Sequence, residues 1–152
     1  MKKLILFFVL ILGFVSEIKA QFPASSEIYY YVRIDDDPYN GIYVVWVRFR
    51  ENRVYQSGRF DVKDMEFVKD VERTLSKSDA WYYDKRISNE KYRVYKWWNQ
   101  DWDNYLAFSK DREELIEIGI APITGSVLKD YLKRVTLKEL ESMLKPKFDF
   151  LE

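Results

Sequence analysis

The sequence predicts an α+β domain: an antiparallel meander sheet with one helix between two groups of strands, and C-terminal helices packed on one face. Three observations lead there. Aromatic and β-branched residues alternate in short runs divided by turn-forming residues, and apolar residues recur at helical spacing from Val62 to Leu75. Thr136 followed by Glu139 is the signature of a helix start near the C-terminus.

Taken in order, the chain opens with Lys2 and Lys3, an apolar run from Leu4 to Val15 and a small residue, Ala20, ahead of Gln21. This is the three-part pattern of a cleaved secretory signal peptide. A permanent membrane helix takes about 20 apolar residues, so the run is too short to stay behind as a stable anchor. Residues 1–20 are therefore expected to be removed, and residues 21–152 to form a single globular domain that is secreted to the periplasm or outside the cell.

Glu27–Ile34 reads as the first strand, and Asp35-Asp36-Asp37-Pro38-Tyr39-Asn40-Gly41 as a turn. Ile42–Arg50 is the clearest strand of the chain; Glu51–Arg53 turns it and Val54–Ser57 returns. In this strand Tyr43, Val45, Val47 and Phe49 form the core face, leaving Trp46, Arg48 and Arg50 opposite, beside Tyr29, Tyr31 and Arg33. Asp61 then stands where a helix N-cap belongs, with Val62, Met65, Val68, Val71 and Leu75 along one face of a helix lying across the sheet. Trp81–Lys85 and Lys91–Trp98 form a second hairpin, and Tyr105–Ser109 adds a strand. Asp111–Ile120 admits two readings: Arg112, Glu113 and Glu114 favour a helix, whereas Ile116, Ile118 and Ile120 alternate like a strand. Val127, Leu128, Tyr131, Leu132 and Val135 predict a helix, and Thr136 opens another through Leu137, Leu140 and Leu144, stopped by Pro146.

Composition narrows the chemistry. There is no histidine and no cysteine, which removes Ser-His-Asp and Cys-His catalysis and every His- or Cys-based metal, haem or iron–sulfur site. Without disulfides or a lipid-bearing cysteine, an apolar core alone must hold the exported domain. Loss of Lys2, Lys3, Lys19 and Glu17 with the signal leaves acids slightly in excess, which argues against a nucleic-acid partner. No glycine-rich phosphate loop is present. The acidic clusters Asp35–Asp37 and Asp101–Asn104 do not follow the spacing of a calcium loop and read as solvated turns. No cofactor and no metal are expected.

Several segments in order, namely Ile28-Tyr29-Tyr30-Tyr31-Val32-Arg33, Tyr83-Asp84, Arg93-Val94-Tyr95, Ala107-Phe108-Ser109-Lys110-Asp111 and Phe150-Leu151-Glu152, together resemble small exported proteins of Bacteroidetes-type Gram-negative anaerobes, a domain of unknown function. The resemblance implies export and a compact domain. It implies no activity and no site residues. Ser109-Lys110-Asp111 reads as a turn closing the preceding strand.

The positive lead is aromatic. Between Trp81 and Phe108 stand four of the chain's five tryptophans, and alternation places aromatic rings on both faces of the sheet. A face left uncovered by helices would present Trp97, Trp98 and Trp102, with Asp101 and Asp103 as polar neighbours, to a carbohydrate or an envelope protein. The expected function is thus a non-enzymatic binding module with an aromatic-rich surface. The alternative is a carboxylate-dependent glycoside hydrolase using acids from Glu90, Asp101 and Asp103.

Overall fold

The computed structural model describes residues 27–33, 41–97 and 103–145. Eight strands follow one another around a closed antiparallel barrel: β1 Tyr29–Arg33, β2 Ile42–Arg50, β3 Arg53–Val62, β4 Ala80–Tyr83, β5 Tyr92–Trp97, β6 Asp103–Ser109, β7 Glu114–Ile120 and β8 Val127–Val135. Each strand pairs with its neighbours in sequence. β8 returns to β1 through Tyr30↔Val135 and Val32↔Lys133, which closes the ring and removes the sheet edges. A 3-10 turn, Glu66–Asp70, and helix α1, Val71–Lys77, sit between β3 and β4; helix α2, Leu137–Leu144, follows β8.

This overturns the expected α+β meander. The expected signal peptide, the expected turn over Asp35–Asn40 and the end of the chain from Pro146 onward lie outside the described residues. Val127–Val135 is a strand and not a helix, and of its expected helical face only Leu132 is buried. The misreading has a simple cause. A spacing of four residues, as between Val127 and Tyr131 or Leu128 and Leu132, returns to the same face in a helix and equally in a strand of period two. Asp111–Ile120 resolves the same way, to a strand from Glu114. Asp61 is not a helix N-cap but part of β3, in a left-handed backbone conformation beside an irregularity of the β2–β3 register.

Two apolar layers hold the barrel. Inside, Tyr31, Val45, Val47, Phe49, Val54, Tyr95, Leu106, Phe108, Leu115 and Leu132 meet as a buried core. Tyr29 and Tyr31 belong to this interior, register partners of Val47 and Val45, and so do not share a face with Trp46 as the sequence had implied. Outside, Tyr30, Val32, Val44 and Trp46 are buried beneath Phe67, Val71, Leu75 and Leu140. The short helices therefore shield the outer wall of β1–β3. This is why β2 is buried on both faces and reads in sequence as a nearly unbroken apolar run.

The Thr136 capping box is present as expected. Its hydroxyl accepts from the Glu139 amide while the Glu139 carboxylate accepts from the Thr136 amide. Among the described residues no helix is long and apolar enough to cross a membrane.

Candidate ligand site at the polar end of the barrel

Barrels of eight strands have an interior that side chains just fill or that holds one small ligand. Here the two ends differ. At the end where β1 begins and β2 finishes, Arg112 closes the interior: its guanidinium lies 4.3 Å from the centre of the Phe49 ring and 5.1 Å from that of Tyr29. Its Nη1 donates to the Tyr29 hydroxyl at 2.8 Å, and the Tyr31 hydroxyl donates to its backbone carbonyl at 2.9 Å. Edge-to-face packing of Tyr95 and Phe49 on Phe108 fills the space behind it.

At the opposite end the interior turns polar. Glu117 of β7 sits on the inward face between Leu115 and Gly119. Its Oε2 accepts a hydrogen bond from the Tyr43 hydroxyl at 2.9 Å and its Oε1 accepts from Gln56 Nε2 at 3.1 Å. Burial pushes its carboxyl up to about 7, reinforced by the charge of Asp130; the Tyr43 hydrogen bond and the charge of Arg33 act in the other direction and do not win. Tyr43 in turn is held neutral by burial and by the nearby Glu117 charge. Asp130 is the register partner of Glu117 on β8 and is ion-paired with Arg33 at 3.2 Å.

Aromatic rings frame this cluster. Phe60 stacks on Tyr43 at 4.1 Å between ring centres and is 62 % exposed. The Arg33 guanidinium stands 5.2 Å from the Tyr43 ring centre. Gly58 makes the arrangement possible: a Cβ there would lie 3.0 Å from the Tyr43 hydroxyl oxygen. β3 pairs with β4 only as far as Tyr55↔Ala80, and Gly58–Asp61 beyond it are exposed. Trp81 and Trp97, register partners on β4 and β5, face inward with ring centres 5.9 Å apart.

Of the residues expected from sequence, Trp97 reaches this end of the interior and is partly buried against Trp81. Asp103 does not join it. It is on the outer face, ion-paired with Lys96 at 2.8 Å. Trp98, Asp101 and Trp102 lie outside the described residues. Glu90 is exposed in the β4–β5 connection. The sequence does not single out Glu117 or Gln56, and it marks Tyr43 only as a core-face residue; the signal that marks Glu117 is a charge at an inward position of the alternating strand Leu115, Glu117, Gly119. Among the described residues no group of three or more acidic side chains is placed to hold a metal ion. In comparisons with known proteins, the chain matches no family model, no curated protein and no solved structure.

Proposed function

We propose that this is an exported, non-enzymatic binding module that takes a saccharide ring at the polar end of its barrel. The observation that carries the reading is the Glu117–Tyr43–Gln56 cluster at one end of the barrel, beyond its apolar middle. Burying a carboxyl there works against stability, so its presence calls for a role outside folding. Near neutral pH a carboxyl of this kind both donates and accepts, which suits sugar hydroxyls, while the exposed face of Phe60 suits the apolar face of the ring.

Titration with a panel of neutral mono- and oligosaccharides tests this. Saturable binding is expected, weakened tenfold or more by Phe60→Ala, with the melting transition of the exposed-ring variant close to that of the parent. Absence of saturable binding across the panel, or affinity unchanged from the parent in both Phe60→Ala and Glu117→Gln, overturns the proposal.

One observation favours a second reading. Glu117 and Asp130 are directly opposite on adjacent strands, one carboxyl raised by burial and the other ion-paired with Arg33. A pair whose environments differ in this way is what acid-assisted glycoside cleavage requires. Release of sugar from aryl glycosides that disappears in both Glu117→Gln and Asp130→Asn would support it over simple binding.

A further inference from the structure

The outer wall carries a second recess, remote in chemistry from the barrel interior. It lies between α1 and the β2–β3 hairpin, has a volume of about 850 Å³, and is lined by Arg48, Arg50, Arg53, Tyr55, Leu75 and Tyr82 among others. Arg50 and Arg53 are register partners flanking the two-residue turn Glu51-Asn52, so two guanidiniums stand directly opposite each other on one face of the sheet. Arg48 is two residues before Arg50 on that same outer face.

Like charges directly opposite in a β-ladder are destabilising. The local acids do not resolve the conflict. Glu72 of α1 is committed to Arg48; Glu51, in the turn, lines the recess, yet among the described residues neither Arg50 nor Arg53 has a carboxylate in ion-pair contact. Arg53 instead rests its guanidinium 5.4 Å from the centre of the Tyr82 ring, and the ion pair with Glu72 fixes Arg48 in place. The cationic residues lining the recess are all arginines, whose planar forks match tetrahedral oxyanions two bonds at a time, where an ammonium offers a point charge. The volume greatly exceeds a bare phosphate or sulfate, and Tyr55, Tyr82 and Leu75 add apolar wall.

We propose that this recess binds a phosphate or sulfate ester carried on a larger molecule, the ester oxygens lying between Arg50 and Arg53 and the body of the ligand against Tyr55 and Leu75. The occupant relieves the repulsion that the hairpin otherwise bears.

Four probes distinguish the sources of the anion: inorganic phosphate, inorganic sulfate, glucose 6-phosphate and glucose 6-sulfate, each titrated into the full exported domain by calorimetry, with neutral glucose as the control. The sugar esters are expected to bind at least tenfold more tightly than the free ions. Affinity should fall as salt is raised. The double variant Arg50→Gln/Arg53→Gln should lose tenfold or more for the esters, and because both positions are exposed its melting temperature should not fall. Lys129→Gln, on the opposite part of the barrel, should change neither. Equal binding of glucose and its esters overturns the proposal, as does no ester binding, or unchanged affinity in the double variant. Saccharide binding at the Phe60 end is read by a different variant, so the two sites fail or stand separately.

Discussion

The Tyr43 hydroxyl and the Glu117 carboxylate, 74 residues apart in sequence, meet across one end of the barrel at 2.9 Å. The contact joins β2 to β7 through the interior, and no reading of either strand alone reveals it. Burial raises the Glu117 carboxyl from 4.5 to about 7 against the pull of this hydrogen bond, and that shift makes folding depend on pH.

The direction follows from proton counting. Between about pH 4.5 and 7 the folded chain holds a proton at Glu117 that the unfolded chain has lost, so stability contributed by this group declines as pH rises through that interval. The effect is on the order of 3 kcal/mol. Glu117→Gln keeps a neutral side chain at every pH. Urea unfolding at pH 5 and pH 8 should therefore show the parent weakening over the interval by roughly 2–3 kcal/mol more than the variant does. Parallel curves for the two proteins would mean that Glu117 ionises normally in the fold.

Gly58 tests the same cluster by shape instead of charge. A methyl group there would stand 3.0 Å from the Tyr43 hydroxyl oxygen and 3.2 Å from its ring and from Val45. Gly58→Ala is expected to cost about 1–3 kcal/mol, the usual penalty of overfilling a packed site. It should also push Tyr43 away from Glu117; because that hydrogen bond lowers the carboxyl against the effect of burial, its loss should enlarge the pH dependence just described. A stable variant with unaltered pH behaviour would show that the ring has room to move.

How much of this was legible in the sequence depends on the distance over which each decision is made. Ile42–Arg50, the Thr136 capping box and the turn after Ser109 are local and were read correctly. Barrel closure was not, because it rests on Tyr30 pairing with Val135 across nearly the whole domain. The helical reading of Val127–Val135 failed because its apolar residues recur every four positions, a spacing common to both periodicities. The site residues were missed for a related reason. Clustered tryptophans stand out in a linear sequence, whereas Glu117 is singular only once Leu115 and Gly119 are known to face inward. That Trp81 and Trp97 share a side needs the β4–β5 register as well as alternation, and Asp103 is paired with Lys96 away from them.

Arg112 closes the other end and should behave as a structural residue. Truncating it to Ala removes cation–ring contacts with Phe49 and Tyr29 and the charged hydrogen bond to the Tyr29 hydroxyl, while leaving the backbone carbonyl that Tyr31 uses. A loss of about 2–4 kcal/mol is expected by denaturant unfolding. Tyr31→Phe, which deletes the hydroxyl alone, should cost roughly 1 kcal/mol. Saccharide binding at the far end should be the same in both variants. A loss within 0.5 kcal/mol (roughly the scale of surface substitutions) for Arg112→Ala would refute the closing role.

The start of β2 depends on a close backbone crossing between Gly41 and Asp61. Gly41 has a φ of 79° and Asp61 one of 56°, both in the left-handed region that glycine tolerates and most residues avoid. A Cβ on Gly41 would come within 2.7 Å of the Asp61 carbonyl carbon and 2.8 Å of its Cα. Those are backbone atoms and cannot swing aside as a side chain can, so Gly41→Ala combines dihedral strain with a collision and should cost roughly 2–4 kcal/mol. Asp61 is the converse case. Its side chain is exposed, and replacing it by glycine relieves the left-handed strain while adding chain entropy to the unfolded state, two effects of about 1 kcal/mol each that oppose one another. Asp61→Gly should thus unfold within about 1 kcal/mol of the parent, whereas Asp61→Val, whose branched side chain resists this conformation, should lose about 2 kcal/mol. A valine variant less stable than both the parent and the glycine variant at position 61, together with intolerance of Ala at position 41, is the signature of this crossing in a melting experiment; equal stability of the glycine and valine variants would mean that the chain does not turn left-handed there.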